Sequence, residues 1–265
     1  MNNKSCVYLV GTGPGDPELL TVKALRLIKQ ADVIVYDRLV SEPILDMIPS
    51  GSSRIFVGKA TDHHTLPQEE INALLVKMAH KARTIVRLKG GDPLVFGRGS
   101  EEATFLARHN IRFEIVPGVT AATAATTYAG IPMTHRGLAA GVQIITGHSR
   151  NNLELQHEWE KLANPDTTIV VYMGLANIRY ITRKLIEAGL SANTPAAAIQ
   201  DGATPHQRRL ITTLAALADE TLQQRFQPPV LFVIGKVVAL AEQMDWYLPA
   251  AQQADQKAAR EHHVS

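Results

Sequence analysis

The sequence predicts an α/β protein of two α/β domains, with mostly parallel or mixed sheets and an active-site cleft between them. Three observations predict it. Short β-branched runs alternate with helical patterns in the first half. Gly-rich loops follow several of those runs directly. A second block beyond residue 139 resembles the first in kind. A chain of 265 residues, 45% hydrophobic and 20% charged, has the length and composition for two such cores.

The runs Val7–Val10, Asp32–Tyr36, Arg54–Val57, Thr84–Leu88 and Phe113–Val116 are short and apolar, as strands buried on both faces are. Helical patterns at Leu19–Gln30, Gln68–Lys81 and Glu101–His109 separate them, which makes βαβ units. In the second block Val142–Thr146, Thr168–Met173, Ala196–Ile199 and Val230–Ile234 read as strands, with helices near Ile178–Ala188 and Leu214–Phe226. Between the blocks, "YAGIPMTHRGLAAG" (Tyr128–Gly141) is rich in glycine. The expected division is therefore an N-terminal domain over 1–133, a junction at 134–138 and a C-terminal domain over 139–249. The tail 250–265 has no apolar stripe to bury and is expected to be mobile. Ligands of such folds bind at the carboxyl ends of the strands, which points to the cleft.

The formal net charge of +2 gives no ground for a nucleic-acid partner. The single Cys6 forms no internal disulfide and fits a reducing compartment. No apolar stretch nears the roughly 18 residues that cross a bilayer, and "MNNKSC" meets only four apolar residues before Gly11, too few for a signal peptide. A cytoplasmic protein without a membrane partner is expected. His63-His64 lacks further spaced ligands, so no metal is expected.

Three loops at strand ends carry the chemistry. "VGTGPGDPELLT" has Gly11, Gly13 and Gly15 but Asp16 where a dinucleotide fingerprint wants its last glycine. Pro14 and Pro17 remove amide donors, and Asp16 puts negative charge where a phosphate would sit. A nicotinamide-dependent oxidoreductase is disfavoured on these grounds, although Asp37, closing "DVIVYD", mimics a ribose-binding acid. "LKGGDPLVFGRGSEEA" pairs Gly90 with Gly91, allowing close backbone approach to a ligand. It supplies Asp92 as an acceptor and leads into a helix near Ser100. "PGVTAATAATTYAG" gives a tight helix start at Thr120 and Ala121, which close helix packing explains equally well.

Taken in order, "VGTGPGDPELLT", "ADVIVYDRLVS", "VGK", "PQEEIN", "RLKGGDPLVFGRGSEE", "VPGVTAATAATTYAGIPMTHR", "TGH", "VVYMG" and "QDGATPHQR" resemble the tetrapyrrole methylase family over Val7 to Tyr247. "GRGSEE" and "GIPMTHR" favour its uroporphyrinogen branch. The resemblance implies two α/β domains, usually in a homodimer, with S-adenosylmethionine folded in the cleft and leaving as S-adenosylhomocysteine. It implies C-methylation of uroporphyrinogen III at C2 and C7, giving precorrin-2. Carried over by position, the cofactor contacts are Pro14, Gly90, Gly91, Asp92, Val95, Thr120, Ala121, Met173, Gly202 and Val230. Asp37 and Lys59 match a proton acceptor and donor, and Arg98 and Glu101 a substrate-facing arginine and its neighbouring acid.

The chemistry can be argued beside the resemblance. Attack by a pyrrole β-carbon on a sulfonium methyl leaves a cation, which is relieved when the macrocycle loses a proton. A carboxylate helps that loss, and Asp37 and Glu101 are the candidates. Arg98 suits bidentate anchoring of a substrate carboxylate better than proton transfer, because guanidinium stays protonated. "GKATDHHT" and Ser100 depart from the family's usual residues without removing a contact position. Some members carry an N-terminal module for oxidation and iron insertion. This sequence opens on the first strand, so methylation alone is expected. Alternatives within the family act on a later corrin precursor, a protein or ribosomal RNA.

Overall fold

Central strands buried on both faces set the architecture, and each half of the chain has its own sheet. The computed structural model describes residues 5–58, 66–148 and 155–249. Lys59, His63, His64 and the 250–265 tail lie outside the described residues. The chain divides into two compact units after Thr120.

In the first unit β1 (Cys6–Gly11), β2 (Val33–Tyr36), β3 (Ser53–Phe56), β4 (Thr84–Lys89) and β5 (Phe113–Val116) form one sheet in the order β3-β2-β4-β1-β5. Every pair in it is parallel. The helices are α1 (Val22–Gln30), the short α2 (Glu42–Leu45), α3 (Gln68–Ala79) and α4 (Gly99–Arg108). Successive strand residues point to opposite faces. Val10, Ile34, Val86 and Leu88 accordingly pack with α1 and α2, whereas Val7, Leu9, Val35 and Ile85 pack with α3 and α4. β1 and β4 are neighbours, yet the chain leaves them toward opposite edges of the sheet, which makes their carboxyl ends a switch point.

The second unit contains α5 (Ala121–Tyr128), β6 (Gly141–Thr146), α6 (Trp159–Leu162), β7 (Thr167–Tyr172) and α7 (Ile178–Glu187). It continues with β8 (Pro195–Gln200), β9 (Arg208–Thr213), α8 (Leu217–Gln223) and β10 (Val230–Ile234). Its sheet has the order β6-β7-β10-β8-β9 and is mixed: β6 and β7 are parallel, and the other pairs antiparallel. Ile169, Val171, Ala198 and Phe232 line the face toward α7 and α8, and Val170, Ala197, Ile199 and Val233 the face toward α5.

Three local expectations are corrected. The division falls after Thr120 rather than at 134–138, because Ala122 and Ala125 of α5, with Ala129 just beyond it, belong to the core of the second sheet. The Gly-rich stretch is instead a turn within that unit, bridged between His135 and Ala139. The helix expected over Leu19–Gln30 breaks into a 3-10 turn, Pro17–Leu19, and α1, with the Thr21 hydroxyl accepting from the Ala24 amide at 3.0 Å as the cap. Among the described residues no helix is long and apolar enough to cross a membrane.

Candidate functional site

In the first unit the candidate loops are joined through their main chains at the carboxyl ends of β1, β4 and β5. The Gly13 amide donates to Gly91 O at 3.2 Å and the Gly91 amide to Gly13 O at 2.6 Å. Asp92 ties in the third loop, its Oδ1 accepting from the Leu94 amide at 2.8 Å and its Oδ2 from the Gly118 amide at 3.1 Å. A Cβ on Gly11 would lie 2.6 Å from both Gly91 O and the Gly118 nitrogen. The paired glycines thus have causes inside the chain as well: Gly91 adopts φ +68°, and a Cβ on Gly90 would come within 2.7 Å of Leu39 Cβ. Asp16 caps the turn that follows, its Oδ1 accepting from the Glu18 amide at 2.9 Å. Pro14 and Val95 are half-buried in the same loops, as is Thr120 after β5.

Asp37 follows β2. Its Oδ1 accepts from the Leu39 amide at 3.0 Å and its Oδ2 from Arg87 Nη2 at 2.9 Å. Arg98, not Ser100, is the N-cap residue of α4 and stands in the left-handed region at φ 59°. Its guanidinium forks onto Glu101, Nε to Oε1 at 2.8 Å and Nη2 to Oε2 at 2.7 Å, with both side chains about half exposed. The hydrogen bond it donates to Glu101 pushes the Arg98 guanidinium above its already high ordinary pKa, which removes it as a general base.

Beneath these loops lies a cluster that the sequence alone did not reveal. Arg87 and Lys89, both on the α3/α4 face of β4, are buried with Glu102 of α4. Glu102 Oε1 accepts from Arg87 Nε at 3.2 Å, Lys89 Nζ at 3.0 Å and Gln68 Nε2 at 3.2 Å. Burial and the neighbouring Arg87 charge push the Lys89 ammonium below its ordinary pKa, against the pull of Glu102. The available signal was the pair of cations two apart in "VRLKGG", a pattern that a two-faced buried strand has no apolar reason to carry.

In the second unit the α5 N-terminus gathers three candidates. The Ala122 amide, next to Ala121, donates to the Tyr172 hydroxyl at 2.6 Å, and Met173 follows Tyr172 directly. A Cβ on Gly202 would collide with Ala125 of α5. Val230 is buried and pairs in register with Gln200 at the start of β10. Met173 adopts φ 55° and is 49% exposed, so it is not core filler.

Among the described residues, left-handed backbone at non-glycine positions concentrates on the candidate loops: Phe96, Arg98, Met173, Asp201 and Ala203, against Asn110 and Arg225 just beyond helix ends. Leu39, Leu94, Phe96 and Met173 also expose large apolar side chains there. In the first unit, the exposed Leu39, Leu94 and Phe96 beside main-chain polar groups and left-handed backbone give a surface that suits a partly apolar organic ligand. Among the described residues no group of three or more His, Cys, Asp or Glu is placed to hold a metal ion.

Comparison with known proteins gives a consistent answer. The chain is 52% identical to a siroheme synthase of Nitrosomonas europaea over 241 residues, 91% of this chain and 50% of that protein. It spans about half the length of the curated relatives it matches. A crystal structure of uroporphyrin-III C-methyl transferase from Thermus thermophilus, complexed with S-adenyl homocysteine, matches with a TM-score of 0.78 at 38% identity, covering 93% of this chain and 99% of that one. A cobalt precorrin-4 methyltransferase matches with a TM-score of 0.78 at 27% identity, over 88% of this chain and 95% of that one. The model of the tetrapyrrole (corrin/porphyrin) methylases matches residues 6–218, and the chain belongs to that family.

Proposed function

We propose that this chain methylates uroporphyrinogen III at C2 and C7, using S-adenosylmethionine and giving precorrin-2 and S-adenosylhomocysteine. The observation that carries the reading is the ordered run of motifs from Val7 to Tyr247, three of which include the left-handed residues Phe96, Arg98, Met173, Asp201 and Ala203. The 38% identity to the Thermus thermophilus enzyme supports the uroporphyrinogen substrate over a later corrin precursor, where the identity is 27%. The reading also makes the protein a cytoplasmic homodimer, with no nucleic-acid or membrane partner.

The positions assigned to the cofactor are Pro14, Gly90, Gly91, Asp92, Val95 and Thr120 of the first unit, and Ala121, Met173, Gly202 and Val230 of the second. The half-exposed side chain of Met173 and the small residues among them leave room for it. When bound, the sulfonium supplies an electrophilic methyl group. The chain then has to hold the pyrrole carbon in line at about 3–3.5 Å and to take away a proton. Arg98 anchors a substrate carboxylate, which replaces the Glu101 carboxylate on its fork, so the exchange conserves both charge and geometry. Asp37 accepts the macrocycle proton on its carboxylate: each oxygen holds one hydrogen bond and keeps a lone pair free. Lys59 is assigned as proton donor, and Glu101 as the second carboxylate near the proton.

The test is an anaerobic incubation of the protein with uroporphyrinogen III and S-adenosylmethionine, read by mass spectrometry. A gain of two methyl groups is expected. No gain, or gain only with a later corrin precursor, overturns the reading.

A further inference from the structure

Glu102 has no part in the chemistry just described, yet its side chain is fully buried. An acid in the first turn of a helix needs only the helix dipole to explain it when it faces solvent. Glu102 faces inward, and its Oε2 is buried without a hydrogen-bond partner while Oε1 accepts from Arg87, Lys89 and Gln68. Removing a carboxylate from water costs several kcal/mol, about what apolar packing of the same volume would avoid. Stability alone is a weak reason for such a group, so its effect on its neighbours matters more.

That effect runs in one direction. The Arg87 guanidinium is held at three points: Nε on Glu102, Nη1 on Leu88 O at 2.8 Å and Nη2 on Asp37 Oδ2 at 2.9 Å. Two of these points are fixed by the fold, one by strand β4 and one by helix α4. The third is the carboxylate assigned as proton acceptor, whose side chain is 24% exposed. The planar fork of arginine transmits orientation from one carboxylate to the other, which a single ammonium cannot do. Lys89 supplies the second cation, so two buried cations balance Glu102 and Asp37.

We propose that Glu102 is a positioning residue for methyl transfer, fixing through Arg87 the orientation of the Asp37 carboxylate. The proposal rests on the functional reading above.

The test is a double-mutant cycle between Glu102→Gln and Asp37→Asn, with rates measured anaerobically. Glu102→Gln is expected to lower kcat about ten- to a hundredfold, the range a misplaced catalytic group produces, with KM for uroporphyrinogen III and affinity for S-adenosylhomocysteine within about twofold. In the Asp37→Asn background the same substitution is expected to change the residual rate by less than about twofold, because its target is gone. Losses that multiply in the double variant, or an unchanged kcat in folded Glu102→Gln, overturn the proposal. If Glu102→Gln fails to fold, the pair Lys89→Met with Glu102→Leu removes one cation and one anion together, and the same coupling is expected of it. Absence of methyl transfer by the unaltered protein overturns the functional reading instead. The carboxylate 13C resonance of Asp37 then decides the positioning claim: it must shift in Glu102→Gln, and an unshifted resonance overturns it.

Discussion

Arg98 separates anchoring from proton transfer at a single side chain. Its fork already grips a carboxylate, Glu101, in a bidentate pair exposed enough for a substrate carboxylate to displace it. Arg98→Lys keeps the charge and loses the fork, so it is expected to raise KM for uroporphyrinogen III several-fold with kcat within about twofold. Arg98→Ala removes a charge-assisted contact of about 1.5–3 kcal/mol and should raise KM by roughly ten- to a hundredfold. Anaerobic kinetics decide it: Arg98→Lys as inactive as Arg98→Ala, with normal porphyrinogen binding, would give the arginine a role in the chemical step. At this scale, the close backbone approach at Gly90 and Gly91 was legible in the doubled glycine, with neighbours that turn out to belong to the chain itself. Arg87, Lys89 and Glu102 were not. Their partnership depends on which face of β4 meets α4, a matter of register between elements that no single stretch of sequence carries.

Strand ends and helix starts carry the strain in this protein. The turn from β7 into α7 places Met173, a non-glycine residue, at φ 55° with its side chain half exposed. Left-handed backbone costs a non-glycine residue about 1–2 kcal/mol, part of which glycine returns as extra freedom of the unfolded chain. Met173→Gly is therefore expected to raise the unfolding free energy by up to about 1 kcal/mol. The same change removes an assigned contact and should weaken S-adenosylhomocysteine binding roughly tenfold, as loss of a single anchoring side chain does. Denaturant unfolding and calorimetry on one preparation test the opposite signs; unchanged affinity would return Met173 to a local structural role. Elements with apolar β-branched runs, such as β1, β7 and β10, were readable directly from the sequence. β9 was not: it opens on Arg208 and Arg209 and lies at the sheet edge, where burial writes no continuous apolar run. The boundary before α5 was equally hidden, since an alanine-rich helix reads alike whichever core it joins.

For the molecule as a whole, binding and stability are linked. A ligand held only by the folded chain adds RT ln(1 + [L]/Kd), about 2.7 kcal/mol at a hundred times Kd. S-adenosylhomocysteine is expected to raise the thermal midpoint accordingly, and NAD to leave it unmoved. A shift with NAD and none with S-adenosylhomocysteine would reinstate the oxidoreductase alternative. The fold class was legible because strand and helix patterns alternate over the whole first half; which strands of the second sheet pair antiparallel was not, since antiparallel and parallel burial look alike in short apolar runs. The interlocked main chains of Gly11, Gly13, Gly91 and Gly118 have one more consequence. A floor held together by backbone is indifferent to the side chains that stand on it. Leu39, Leu94 and Phe96 project from its loops into the open, and mutation can exchange them without disturbing the amides and carbonyls below. Under the proposed function, the backbone floor and the side chains above it can therefore change independently of one another.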